Sequence, residues 1–160
     1  MNGTLAATIT GLSTPSSVDI DSSNRAWIPN NGNNTLAQIT PTTTTPFYTL
    51  TTFGGGGMSG PGGESIDGQG NVWVANATAY SGGSIYSVSE FTNAGAAITG
   101  TGGYQAGLLT YPRFVGMDIS GDVWFSNYSG ASVEELIGAA APTVRPKALA
   151  VANGTLGTRP

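Results

Sequence analysis

The chain has 160 residues and a formal charge of −4, with 9% charged residues and neither cysteine nor histidine. These absences exclude disulfides, thiolate or imidazole metal sites and every Ser-His-Asp or Cys-His relay. The five cations (Arg25, Arg113, Arg145, Lys147 and Arg159) are scattered among nine carboxylates, so nucleic acid is excluded as a partner. Thr, Ser, Asn and Gly supply 72 residues, a composition of short strands and tight turns and not of a helical bundle. No apolar run approaches the roughly 20 residues of a membrane span. Residues 1–12 lack the basic and apolar regions of a signal peptide.

In chain order, residues 1–13 read as the outer strand of a preceding, incomplete unit, because NGTLAATITG resembles NAGAAITG at 93–100. The first complete unit, 14–59, holds strands at 18–20, 26–28, 35–39 and 47–51, the last following a PTTTTP surface loop. The second, 60–110, holds strands at 64–66, 72–74, 84–91 and 96–99. The third, 111–138, holds strands at 115–117, 123–125 and 132–136. A tail at 139–160 remains, open to adding an outer strand.

The units are copies of one pattern. Pro15, Asp21, Trp27 and Asn30 are spaced by 6, 6 and 3 residues, as are Pro61, Asp67, Trp73 and Asn76, and Pro112, Asp118, Trp124 and Asn127. The polar residue eleven positions beyond Trp in the first and third units (Gln38, Glu135) lies seventeen beyond it in the second (Glu90). Six residues are therefore inserted in the second unit, near 79–84. No segment sustains the i, i+3, i+4 apolar pattern of a helix. Four short antiparallel strands per 46 to 51 residues are the blade of a β-propeller, and a β-sandwich would not require one spacing three times. The expected fold is all-β: an open arc of about three four-stranded blades, part of a six- or seven-bladed ring. Such an arc leaves an apolar blade face exposed, expected at the N-terminal end, where it drives association. Its partners are then the missing blades of a parent chain or another copy of itself.

The segment PGGESIDGQGNVWVAN, from Pro61 to Asn76, closely resembles the blades of NHL-like and streptogramin-lyase-like bacterial propellers. The tail from Ile137 also resembles the end of many exported members. The resemblance implies a parent protein of six or seven blades outside the cytoplasm, extracellular or periplasmic. Streptogramin lyases use a catalytic histidine and magnesium, and this chain has no histidine. Gluconolactonase and regucalcin propellers set a Glu, two Asn and an Asp around a divalent metal; those residue types occur here without a positional match. The sialidase Asp-box places Asp five residues before Trp, whereas here the interval is six. No catalytic residue is assigned, and a divalent cation is the one cofactor left open.

Each repeated residue has a functional and a structural reading. Asp21, Asp67 and Asp118 either ligate a cation or accept backbone N–H bonds at the head of a hairpin turn. Trp27, Trp73 and Trp124 either stack on sugars or pack blades together. Asn30, Asn76 and Asn127 cap the strand exit. Recurrence once per blade favours structure in every case, because a ligand site draws different residues from different blades. Residues that break the pattern are the better site candidates. Asp19 and Glu64 lie on innermost strands lining the channel, and Glu64 replaces Val18 and Val115 of the other units. Arg113 is a partner for Glu64 or an anion contact. The Gly54–Gly57 run lacks the Lys-Ser/Thr of a phosphate loop and reads as a connection between blades. The function expected is a non-catalytic propeller segment of an exported protein, a scaffold or recognition surface. The alternatives are a fragment of a metal-dependent lactonase- or lyase-type enzyme, or a carbohydrate-binding propeller using Tyr80, Tyr86, Tyr104 and Tyr128.

Overall fold

The computed structural model describes residues 7–78, 86–105 and 107–143. Among them run strands β1 (Asp19–Ile20), β2 (Ala26–Asn30), β3 (Thr35–Pro41), β4 (Tyr48–Phe53), β5 (Pro61–Ile66), β6 (Val72–Asn76), β7 (Ser87–Phe91), β8 (Pro112–Met117), β9 (Val123–Asn127) and β10 (Ser132–Leu136). They form three antiparallel sheets, ordered β1-β2-β3-β4, β5-β6-β7 and β8-β9-β10. Trp27 stands opposite Gln38, Trp73 opposite Glu90 and Trp124 opposite Glu135. One register thus repeats three times, and the extra residues of the second unit lie between β6 and β7. Residues 79–85, where the insertion is expected, fall outside the described ones, as do 1–6, 106 and 144–160.

Alternation along the central strands divides each sheet into two faces. Val72 and Val74 of β6 pack with Trp27, Leu36, Met58 and Phe91, joining the first sheet to the second. Val123 and Phe125 of β9 pack with Trp73, Val88 and Leu109, joining the second to the third. Each seam therefore takes a Trp from the trailing face of one blade and two apolar residues from the leading face of the next. The innermost strands converge most closely: a Cβ at Gly62 would stand 2.6 Å from the Arg113 carbonyl oxygen. Both β5 and β8 break register just after their opening proline.

Three expectations are corrected. Among the described residues only the first sheet has four strands. In the second, the expected strand at 96–99 is reduced to one isolated bridge, Phe91 with Ala97, and a second bridge joins Val88 to Tyr104 beyond it. A turn closed by the Gly103 N–H on the Gly100 carbonyl interrupts the ladder, and Tyr104 rejoins β7 through two backbone bonds with Val88. The third has no fourth strand among the described residues. Secondly, residues 7–13 form no outer strand. Thirdly, the apolar face at the N-terminal end is covered: Ile28, Ala37 and Ile39 are buried beneath Ile9, Leu12 and Tyr48. The exposed tryptophan is at the opposite end, where Trp124 is 40% accessible against 0% for Trp27 and 1% for Trp73.

Candidate functional site

The 6-residue interval from Asp to Trp has a direct physical cause. Asp21 Oδ1 accepts the backbone N–H groups of Ser23 (2.8 Å) and Arg25 (2.9 Å), closing the β1–β2 turn. Its Oδ2 accepts the Trp27 indole N–H at 2.9 Å. Asp67 repeats the arrangement with Gln69, Asn71 and Trp73, and Asp118 with Ser120, Asp122 and Trp124. The carboxylate thereby orders its turn and orients the ring that packs the seam. Burial pushes the Asp21 pKa up, but the donors from Trp27, Arg25 and Ser23 outweigh it and hold it below the usual value. The Asp122 backbone N–H lowers Asp118, burial opposes it, and the bonds from Ser120 and Trp124 add to the lowering.

The asparagines do more than cap a strand exit. Asn30, Asn76 and Asn127 each accept, on Oδ1, the backbone N–H seventeen residues upstream: Ser13, Ser59 and Thr110. Their amides donate to hydroxyls on the third strand, Thr35, Ser87 with Ser89, and Ser132. Each Asn also pairs with the opening proline of its own unit. The incoming loop, the second strand and the third strand are thus tied by one side chain. A further residue repeats in the sequence: the apolar residue three before each proline, Leu12, Met58 or Leu109. Met58 and Leu109 sit in the seam clusters, and Leu12 packs on the leading face of the first blade.

Glu64 behaves differently from its counterparts. Val115 packs into the second seam, whereas Glu64 is 9% exposed at the first seam and faces Ser17 of the neighbouring blade. The Ser17 hydroxyl donates to Oε2, and the Gly62 carbonyl lies 2.6 Å from Ser16 Oγ and 3.1 Å from Ser17 Oγ. Oε1 is buried without a partner. Burial raises the Glu64 pKa to about 7, the Ser17 bond opposing and the nearby Asp19 charge adding to it. Ser16 and Ser17 carry no repeat signal, so their role escaped the sequence. Arg113 does not pair with Glu64: its guanidinium lies over the rings of Tyr128 (5.3 Å) and Tyr111 (5.8 Å). Arg25–Asp21, at 2.7 Å, is the one ion pair among the described residues.

Asp19 lines a cleft of about 560 Å³ where the first two turns approach the end of β8, with Ser22, Ser65, Gln69, Met117 and Thr143 among its walls. Residues 139–143 close this end, with Ala141 N–H donating to Asp67 Oδ2 and Thr143 to the Asp118 carbonyl. The third turn gathers Asp118, Asp122 and Glu135 within 4.8 Å. Asp122 stands where the first blade has Arg25 and the second has Asn71, whose Nδ2 bridges Asp67 and Glu90. Burial raises Glu90, with Tyr104 and Asn71 opposing as donors and Asp67 adding to it as a neighbouring charge.

No protein-family profile matches the chain, and no curated protein matches it. Solved structures do. A streptogramin B lyase structure aligns with TM-score 0.61 at 17% identity, over 86% of this chain and 43% of that one. A catalytically inactive virginiamycin B lyase from Staphylococcus aureus, with quinupristin, aligns with TM-score 0.60 at 20% identity over 85% and 43%. The fold is part of a streptogramin-lyase-like β-propeller. This propeller segment spans less than half the length of the lyases it matches. The magnesium site implied by the lyase resemblance does not fit its inner wall. Asp19 and Glu64 are the only carboxylates on β1, β5 and β8, no histidine stands beside them, and Glu64 is turned into a seam.

Proposed function

We propose that this propeller segment is non-catalytic and serves as a scaffold or recognition surface in an exported protein. The observation that carries the reading is the internal use of the repeated polar residues. All three Asp side chains are engaged by their own turns and indoles, and all three Asn side chains by their own blades. They are structural parts, and a proton relay or ligand shell built from them would dismantle the blades. The recognition surface we assign is the polar cleft bordered by Asp19, Ser22, Gln69 and Thr143. An extracellular or periplasmic location is supported by the low charge, the Thr/Ser/Asn content and the likeness of the tail to exported propellers.

Thermal melts with and without magnesium or calcium test the reading, because a cation that binds only the folded state raises the melting temperature by mass action. The expected result is no shift. A saturable rise would replace this reading with that of a metal-dependent enzyme fragment. Quenching of tryptophan emission by oligosaccharides, abolished by Gln69→Ala, would specify the recognition function as carbohydrate binding.

A further inference from the structure

The two seams share one plan but are finished differently. In the first, Trp27 lies against Phe53 at 5.8 Å, and Phe53 stands opposite Leu36 of β3. In the second, Trp73 stacks on Tyr104 at 5.6 Å, and Tyr104 bridges Val88 of β7, the counterpart of Leu36. What covers each aromatic pair differs. Phe91, the residue after Glu90, is fully buried in the cluster that holds Trp27. The turn behind it lays Gly95 on the Phe53 ring so closely that no Cβ would fit. The counterpart of Phe91 in the third blade is Leu136, the residue after Glu135, and it is only partly buried against the cluster of Trp73. The chain then leaves the seam, Ala140 N–H donating to the Gly121 carbonyl and Ala141 N–H to Asp67. Among the described residues this leaves a cavity of about 410 Å³, lined by Trp73, Tyr104, Gln105, Leu136 and Ala139. Tyr104 is 42% exposed there.

We propose that this cavity binds a small aromatic molecule carrying one polar group, of the indole or phenol class. It continues the established interface between the second and third blades, and the first seam names the chemistry of its occupant. There the aromatic pair is closed over by another aromatic ring, Phe91, and the turn behind it. The volume falls within the roughly 300–1,000 Å³ of small-molecule sites. Its hydrogen-bonding capacity is small and mostly spent. The Tyr104 hydroxyl donates to Glu90 at 3.0 Å, and the Trp73 indole N–H is directed at Asp67. Gln105, whose amide nitrogen donates to the Gly102 carbonyl, offers its oxygen to one N–H or O–H. A sugar would bring several hydroxyls and leave most of them unpaired against these walls. An aromatic ring instead gains contact with Tyr104 and leaves water.

Isothermal titration calorimetry of the 160-residue chain with indole, phenol and cellobiose tests the proposal. Two variants fill the cavity: Leu136→Phe, which copies the first seam, and Ala139→Trp, which adds a ring from the rim. Ala139 is exposed, so its variant keeps the test open if Leu136→Phe does not fold. The expected result is saturable uptake of indole and phenol by the parent, loss of both in each folded variant, and no heat with cellobiose. A parent that takes up neither aromatic probe up to its solubility limit would overturn the proposal. Indole binding that survives in a folded, cavity-filled variant would overturn it too, because the ring then lies elsewhere. Cellobiose binding that disappears on filling the cavity would make this a sugar site and overturn the aromatic assignment.

Discussion

At the residue scale, chemically identical side chains differ in consequence because their surroundings differ. Trp73 is 1% exposed, and its ring stacks on Tyr104 at 5.6 Å. Trp73→Ala is expected to cost roughly 3–5 kcal/mol in a denaturant melt. Trp124→Ala is expected to cost about 1–2 kcal/mol, since its ring is already partly in water. Equal losses at the two sites would contradict the seam assignment. Asp67 accepts from Gln69, Asn71, Trp73 and Ala141. Asp67→Ala leaves several of those donors unpaired and should cost about 1.5–3 kcal/mol. Its tryptophan emission should shift red as the indole loses its orientation.

At the element scale, the blades are held less by strand propensity than by side chains that tie one strand to another. Asn76 is fully buried between the incoming loop and β7. Removing it as Asn76→Ala frees the Ser59 amide and leaves Ser87 and Ser89 without their donor. Hydrogen exchange should accelerate at Ser59 and Ala77 while β2 and β3 of the first blade keep their protection. Uniform acceleration across all three sheets would mean that the amide supports global stability and not the local junction. The same junction explains why β5 and β8 open on proline: Pro61 and Pro112 each pair with the asparagine that closes the following strand.

At the scale of the whole molecule, pH acts through Glu64 and, in the same sense, through Glu90, whose pKa burial also raises. The folded-state pKa of Glu64, about 7, lies above its ordinary value of 4.5. The native state therefore binds more protons than the unfolded one between those values, so stability falls as pH rises through that window and levels off above it. The loss is on the order of 3 kcal/mol for a shift of this size. Asp21 and Asp118 act in the opposite sense. Their lowered pKa values contribute stability above the unfolded value of 3.8 that is lost as pH falls through their folded values. Maximum stability is expected at about pH 4–5. Glu64→Gln should flatten the decline from pH 5 to 8 and melt higher than the parent at pH 8. An unchanged slope in that variant would remove Glu64 as its source.

Much of the fold was legible before any coordinates. The Pro-Asp-Trp-Asn spacing located three sheets, and the eleven-residue interval from Trp to its polar partner set their register. Such features are local: the Asp turn and the indole it orients lie within seven residues of each other, so composition and spacing determine them. The candidate site was less legible. Glu64 stood out because it broke the repeat, but Ser17 became its partner only when two blades were laid side by side. Arg113, equally conspicuous, went to Tyr111 and Tyr128. The sequence by itself determined the repeating unit and the residues that build it. Tertiary structure alone decided which faces are covered, which carboxylate loses its solvent and which of the three tryptophans stays partly exposed. Those outcomes depend on contacts between units dozens of residues apart, and no interval within a single repeat encodes them.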